Sequence, residues 1–145
     1  MKDKPICAWA QSHELNRAYH DAEWGVPQHD DRVLFEFLIL EGAQAGLSWD
    51  TILAKRENYR RAFDHFDARK IARYDARKLA SLMKNPGIVR NRLKVEASRG
   101  NARAYLAIPD FSAHLWGFLD GKPLNNRFRT MGEVPAAPPI AEKIS

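Results

Sequence analysis

A carboxylate stands where an apolar helix face is forming. Glu41 follows Leu38, Ile39 and Leu40, and small residues come next: Gly42, Ala43, Ala45 and Gly46, then Leu47, Ser48 and Trp49. Taking a carboxylate out of water is costly unless it is paired or liganded. Spacing alone leaves two readings open. In the first, Glu41 faces water at a helix end and Trp49 belongs to the core. In the second, the small residues let another molecule approach closely. Glu41 then accepts a hydrogen bond from the exocyclic amine of a purine and complements a positive charge on its ring. Trp49 and Tyr19 stack on or line that base, and Leu47 is an apolar wedge at the turn.

A segment nearer the start can complete such a site: Cys7, Trp9, Tyr19, His20, Asp21, Glu23, Trp24 and Gly25. Cys7 and His20 lie thirteen positions apart, and both are plausible zinc ligands. A structural zinc takes four, and His13, His29, His65 and His114 show no ligand spacing. The single cysteine excludes an internal disulfide.

Charge marks another stretch. Between Lys84 and Arg103, six basic residues face only Glu96, so this stretch carries the whole net charge of +5. It contains the break Asn85-Pro86-Gly87, where proline cannot continue helical bonding. Backbone N–H groups at Gly87 are expected to converge outward with the next helix N-terminus, as an anion site. Arg90 and Lys94, four apart, are expected on one helix face, reaching phosphates beside the turn. A solvated helix face remains the alternative.

The elements that must position these groups read as helices. Ser12 is expected to cap one through Tyr19, and Asp30 or Asp31 a longer one carrying Val33, Leu34, Phe37, Leu38 and Leu40. Ser48, Asp67, Asp75 and Asp110 are further caps, and a basic helix is expected from about Arg90 to Leu106. No alternating strand pattern or internal repeat is present. The expectation is an all-α domain over 1–130. Residues 131–145, with Pro135, Pro138 and Pro139, read as a connector or truncated tail. No stretch is apolar enough to span a bilayer; a cytoplasmic monomer is expected.

Taken together, these residues resemble the DNA-3-methyladenine glycosylase I family of the helix-hairpin-helix glycosylase superfamily. The resemblance rests on Cys7-Ala8-Trp9, Tyr19-His20-Asp21, Glu23-Trp24-Gly25-Val26-Pro27, Leu40-Glu41-Gly42 and Gln44-Ala45-Gly46-Leu47-Ser48-Trp49. It continues through Lys55-Arg56-Glu57-Asn58-Tyr59-Arg60, Gly87-Ile88-Val89-Arg90-Asn91-Arg92 and Gly100-Asn101-Ala102-Arg103-Ala104-Tyr105. It implies an all-helical fold with a hairpin between two helices. Glu41 is then the base-recognition acid, Tyr19 a pocket tyrosine, Trp49 the stacking tryptophan and Trp9 a further pocket aromatic. A second pocket tyrosine of the family falls at Asn16. Gly46 and Leu47 fall where the family contacts duplex DNA at the lesion. Cys7 and His20 match two ligands of a structural zinc, whose other two, a histidine and a cysteine, are expected beyond Ser145.

The activity implied is hydrolysis of the N-glycosidic bond of 3-methyladenine in duplex DNA, with free 3-methyladenine as product. The lesion must leave the stack. Its positive ring is a good leaving group, and no lysine is placed as a Schiff-base nucleophile. The alternative is a non-catalytic helical domain that binds DNA or lesions.

Overall fold

A computed structural model describes residues 5–145, and among these no strand occurs. The chain divides into two compact units, Met1–Ala107 and Ile108–Ser145. The first holds a 3-10 turn at Ala8–Gln11 and helices α1 (Glu14–Ala22), α2 (Asp31–Gln44), α3 (Trp49–Ala62), α4 (Ala68–Ala72), α5 (Ala76–Leu82) and α6 (Arg92–Leu106). The second holds α7 (Phe111–Gly117), a 3-10 turn at Met131–Glu133 and α8 (Pro139–Ile144). The segment read as a connector therefore contains a turn and a short helix, which Pro139 begins because its missing N–H has no partner to lose there.

Side-chain caps set the helix starts. Asp30 accepts from the Val33 N–H at 3.0 Å, Asp75 from Lys78 at 2.8 Å and Asp110 from Ala113 at 2.9 Å. Ser48 and Asp67 also cap as expected. Each such cap stabilises a helix by about 1 kcal/mol. Two starts differ from expectation. His13, not Ser12, caps α1, its Nδ1 accepting from Leu15 N–H at 3.1 Å; the Ser12 hydroxyl donates back to the Trp9 carbonyl. Asn91 caps α6 by accepting from Lys94 N–H at 3.1 Å, so the helix begins at Arg92. Arg90 lies in the connector and shares no helix face with Lys94.

The core of the first unit is built where α2 meets α3 and α6, and α4 packs along α6. Phe35, Leu40, Ile52, Phe63 and Ile71 are fully enclosed. The α2 register differs from the one expected. Phe35, Ile39, Leu40 and Ala43 face the core, while Leu38 is exposed. Glu36 is buried on the same helix because two arginines of α3 reach it, Arg56 Nε at 2.7 Å and Arg60 Nε at 3.0 Å.

The hairpin Asn85–Val89 is tied to α3. Asn58 Nδ2 donates to the Gly87 carbonyl at 3.1 Å, and Val89 N–H donates to the Tyr59 hydroxyl at 3.2 Å. A Cβ at Gly87 would stand 3.0 Å from Asn58 Cγ, so a side chain here would have to push the Asn58 and Asn85 side chains aside by a few tenths of an ångström. The outward anion site expected of its backbone is not formed. Gly87 N–H is held by Asn85 Oδ1 at 2.8 Å, and Ile88 N–H points to the Asn85 carbonyl.

Candidate active site

The first 3-10 turn and helices α1, α2 and α3 bring four of the residues assigned to the pocket above, Trp9, Tyr19, Glu41 and Trp49, to one cleft. Its volume is about 460 Å³, and Trp9, Tyr19, Trp24, Glu41, Gln44 and Trp49 line it. That is within the usual size of a small-ligand site, about 300–1,000 Å³. Trp9 comes from the first 3-10 turn and Tyr19 from α1. Glu41 and Gln44, three apart on α2, share one face. Trp49 is the first residue of α3.

The aromatic wall is a set of tilted and edge-on rings. Tyr19 lies 5.4 Å from Trp49, 6.3 Å from Trp9 and 6.3 Å from Phe37, between ring centroids. Trp9 meets Trp24 edge-on at 5.5 Å. In each edge-on contact the rim of one ring meets one face of the other, which leaves that second ring's opposite face uncovered by the pair. Burial, with the charges of Glu41 and Glu23 adding, pushes the Tyr19 hydroxyl above its ordinary pKa, so it stays protonated at neutral pH. Trp49 Nε1 is buried with no partner among the described residues.

Glu41 is less enclosed than expected: it opens to solvent at the mouth of the cleft. The surrounding groups still withdraw enough water to push its carboxyl above the ordinary range. No ion pair to Glu41 is present among the described residues. The cleft thus offers a carboxylate without a resident cation, beside flat apolar surfaces.

Asn16 is not among the lining residues. One turn before Tyr19 on α1, it is buried with its Nδ2 donating to Ser12 Oγ at 3.3 Å, and its Oδ1 has no partner among the described residues. Its amide is drawn to the start of the helix rather than to the cleft. Trp24, named above only within the segment that can complete the site, and Gln44, given no pocket role, do line the cleft. The Glu41–Gln44 spacing could have found Gln44. Trp24 follows the end of α1, where no periodicity applies.

The rear of the cleft is clamped by Arg56. Its guanidinium donates to both oxygens of Glu23 at 2.7 and 3.0 Å and to Glu36 at 2.7 Å, and it lies 5.1 Å over the Phe37 ring. Glu23 precedes Trp24, and Phe37 touches Tyr19, so this one side chain ties α1 and α2 to α3 behind the aromatic wall.

The turn from α2 to α3 carries Gly46 and Leu47. Gly46 has φ +78, the left-handed region where a side chain is strained. Leu47 N–H donates to the Gln44 carbonyl at 2.6 Å, and its side chain is 41% exposed at the tip. Arg90 is exposed beside the hairpin. Lys94 is not presented freely: its ammonium donates to the carbonyls of Ala43 at 2.8 Å and Ala45 at 2.6 Å. Arg99 and Arg103 donate to the carbonyls of Tyr74 and Ala72, both at 3.0 Å. Half of the basic stretch therefore serves the first unit itself.

Cys7 and His20 are neighbours, with Cys7 N–H donating to His20 Nε2 at 3.5 Å and His20 Nδ1 against Asp21 at 2.9 Å. Among the described residues no group of three or more His, Cys, Asp or Glu is placed to hold a metal ion. Cys7 and His20 are the two zinc ligands that the resemblance places in these residues, the other two being expected beyond Ser145.

A profile of the methyladenine glycosylase family matches residues 9–145. The chain is 43% identical over 143 residues to the DNA-3-methyladenine glycosylase of Haemophilus influenzae, covering 96% of this chain and 77% of that protein. A crystal structure of 3-methyladenine DNA glycosylase I superposes with a TM-score of 0.93 at 42% identity, over 97% of this chain and 79% of that one. A variant of 3-methyladenine DNA glycosylase I in complex with 3-methyladenine superposes with a TM-score of 0.89 at 35% identity, over 96% and 77%.

Proposed function

This chain belongs to the methyladenine glycosylase family, and from that premise we propose that its cleft holds an extruded 3-methyladenine while the N-glycosidic bond is hydrolysed in alkylated duplex DNA. The observation that carries the reading is the unpaired Glu41 carboxylate among Trp9, Tyr19, Trp24 and Trp49 in a cleft of about 460 Å³.

Methylation at N3 makes the purine cationic and a good leaving group. The cleft needs to hold that cation and the developing charge rather than to supply a strong acid. Glu41 accepts a hydrogen bond from the exocyclic amine and opposes the ring charge. Trp49 and Tyr19 flank the base, with Trp9 and Trp24 closing the wall. When the C1′–N9 bond breaks, the base leaves as neutral 3-methyladenine with the bonding electron pair. Water oxygen bonds to C1′ and its proton passes to solvent, leaving an abasic site. Among the described residues no lysine lines the cleft, which fits hydrolysis without strand cleavage. Leu47 fills the stack where the base was, and Arg90 meets a phosphate beside the hairpin.

The assay is base release from methylated duplex DNA, with the products resolved by chromatography. Free 3-methyladenine with intact, alkali-labile strands is expected. Lesion-selective binding without release would instead identify a non-catalytic lesion-binding domain.

A pH profile follows from Glu41. The carboxylate is the working form, and burial raises its pKa. Single-turnover excision should rise with pH through a value above the ordinary glutamate range and fall as pH drops through it. Stability runs the other way: what protonated Glu41 contributes is present below the unfolded-state pKa and is lost as pH rises through the folded value. A rate that stays flat as pH falls to and through the ordinary glutamate range would contradict the assignment.

A further inference from the structure

The last carbonyls of a helix lack partners within it, and the C-terminus carries partial negative charge. At the end of α2 three such carbonyls are satisfied. Gln44 receives Leu47 N–H at 2.6 Å. Ala43 and Ala45 both receive one nitrogen, Lys94 Nζ, at 2.8 and 2.6 Å. Lys94 sits in the first turn of α6, directly beyond the hairpin, so its stem spans from the hairpin side of α6 to the turn that carries Gly46 and Leu47.

We propose that Lys94 is a positioning residue: it fixes the Ala45–Gly46–Leu47 turn so that Leu47 enters the duplex stack, and it is not a phosphate contact. The inference rests on the glycosylase reading above. Two features of the turn make such a brace necessary. Gly46 adopts φ +78, which any wider sampling by a glycine would leave. Leu47 is 41% exposed and has no core packing of its own to hold it. An ammonium between two carbonyls supplies charge-assisted bonds where packing is absent. Two of its three protons are committed to the turn, whereas Arg90 remains exposed beside the hairpin.

The test compares the parent protein with Lys94→Met and Lys94→Gln on two duplexes, one with 3-methyladenine opposite thymine and one with it opposite an abasic site. A wedge matters most when a paired base must be displaced. Single-turnover excision of the paired lesion is expected to fall about tenfold or more in Lys94→Met, as small misplacements do. Excision of the unpaired lesion should fall far less. Loss of stability alone would lower both equally. Lys94→Gln, which keeps a donor, covers the case in which the methionine variant does not fold, and should show the same asymmetry more weakly.

Binding to undamaged duplex supplies the second readout. The slope of log affinity against log salt should be unchanged in both Lys94 variants, and shallower by about one in Arg90→Ala. Equal losses on both duplexes, no loss, or a salt slope reduced at Lys94 would overturn the proposal. Failure of the parent protein to release base from either duplex would remove the glycosylase reading itself, and this inference with it.

Discussion

Glu41→Gln is expected to lower single-turnover release of 3-methyladenine by about a hundredfold or more, the usual scale for losing one aligned electrostatic group in a site. The amide keeps the shape of the side chain, but it no longer opposes the positive ring, and half of its polar surface becomes a donor facing the exocyclic amine. Affinity for undamaged duplex should be nearly unchanged, because Leu47 and Arg90 are untouched. The same change should leave Tm at neutral pH at or above that of the parent. Burial already disfavours the charged form of Glu41, and no ion pair to it among the described residues is broken. A variant that loses excision and stability together would point to a structural role for Glu41. Undiminished excision would remove the residue from the chemistry.

Arg56→Met should be the most damaging single change to the fold around the cleft. The arginine is 14% exposed and holds Glu36, itself 9% exposed in its side chain, together with both oxygens of Glu23. Removing it leaves Glu36 with Arg60 as its remaining arginine and frees Glu23. Breaking one side of a buried ion pair costs about 3 kcal/mol, a fall in Tm of roughly 6–12 °C for a chain of this size. Much of that cost is the carboxylate left behind in low dielectric. Arg56→Met combined with Glu36→Leu should therefore lose less than Arg56→Met alone. Thermal unfolding of the three proteins decides it. An unchanged Tm in the single variant would show that the clamp is dispensable.

Much of the cleft was legible because its residues carry local signals. Glu41 interrupts an apolar run, Trp49 follows a capping serine, and the breaker Asn85-Pro86-Gly87 marks the hairpin. Helix starts governed by Asp30, Ser48, Asp67, Asp75 and Asp110 were legible for the same reason: a cap is a contact within three residues. What required the fold was longer in range. Glu36 reads as one more surface acid until Arg56 and Arg60, twenty and twenty-four residues on, are seen to reach it. Lys94 reads as part of a phosphate face because composition does not show that carbonyls fifty-one and forty-nine residues earlier lie within its reach. Asn16 shares a turn with Tyr19, yet its amide turns toward Ser12. Helical spacing fixes a residue's face and leaves its bonding partner undetermined.

The account depends most on the cleft selecting an alkylated purine. Trp9, Trp24 and Trp49 surround that space, so their fluorescence reports its occupancy. Titration of the parent protein with 3,9-dimethyladenine, whose ring is cationic like that of the lesion, should give saturable quenching, weakened when Glu41 is replaced by glutamine, while neutral adenine at equal concentrations should give little. Equal quenching by the two bases, or none by the cationic one, would contradict the assignment of this cleft.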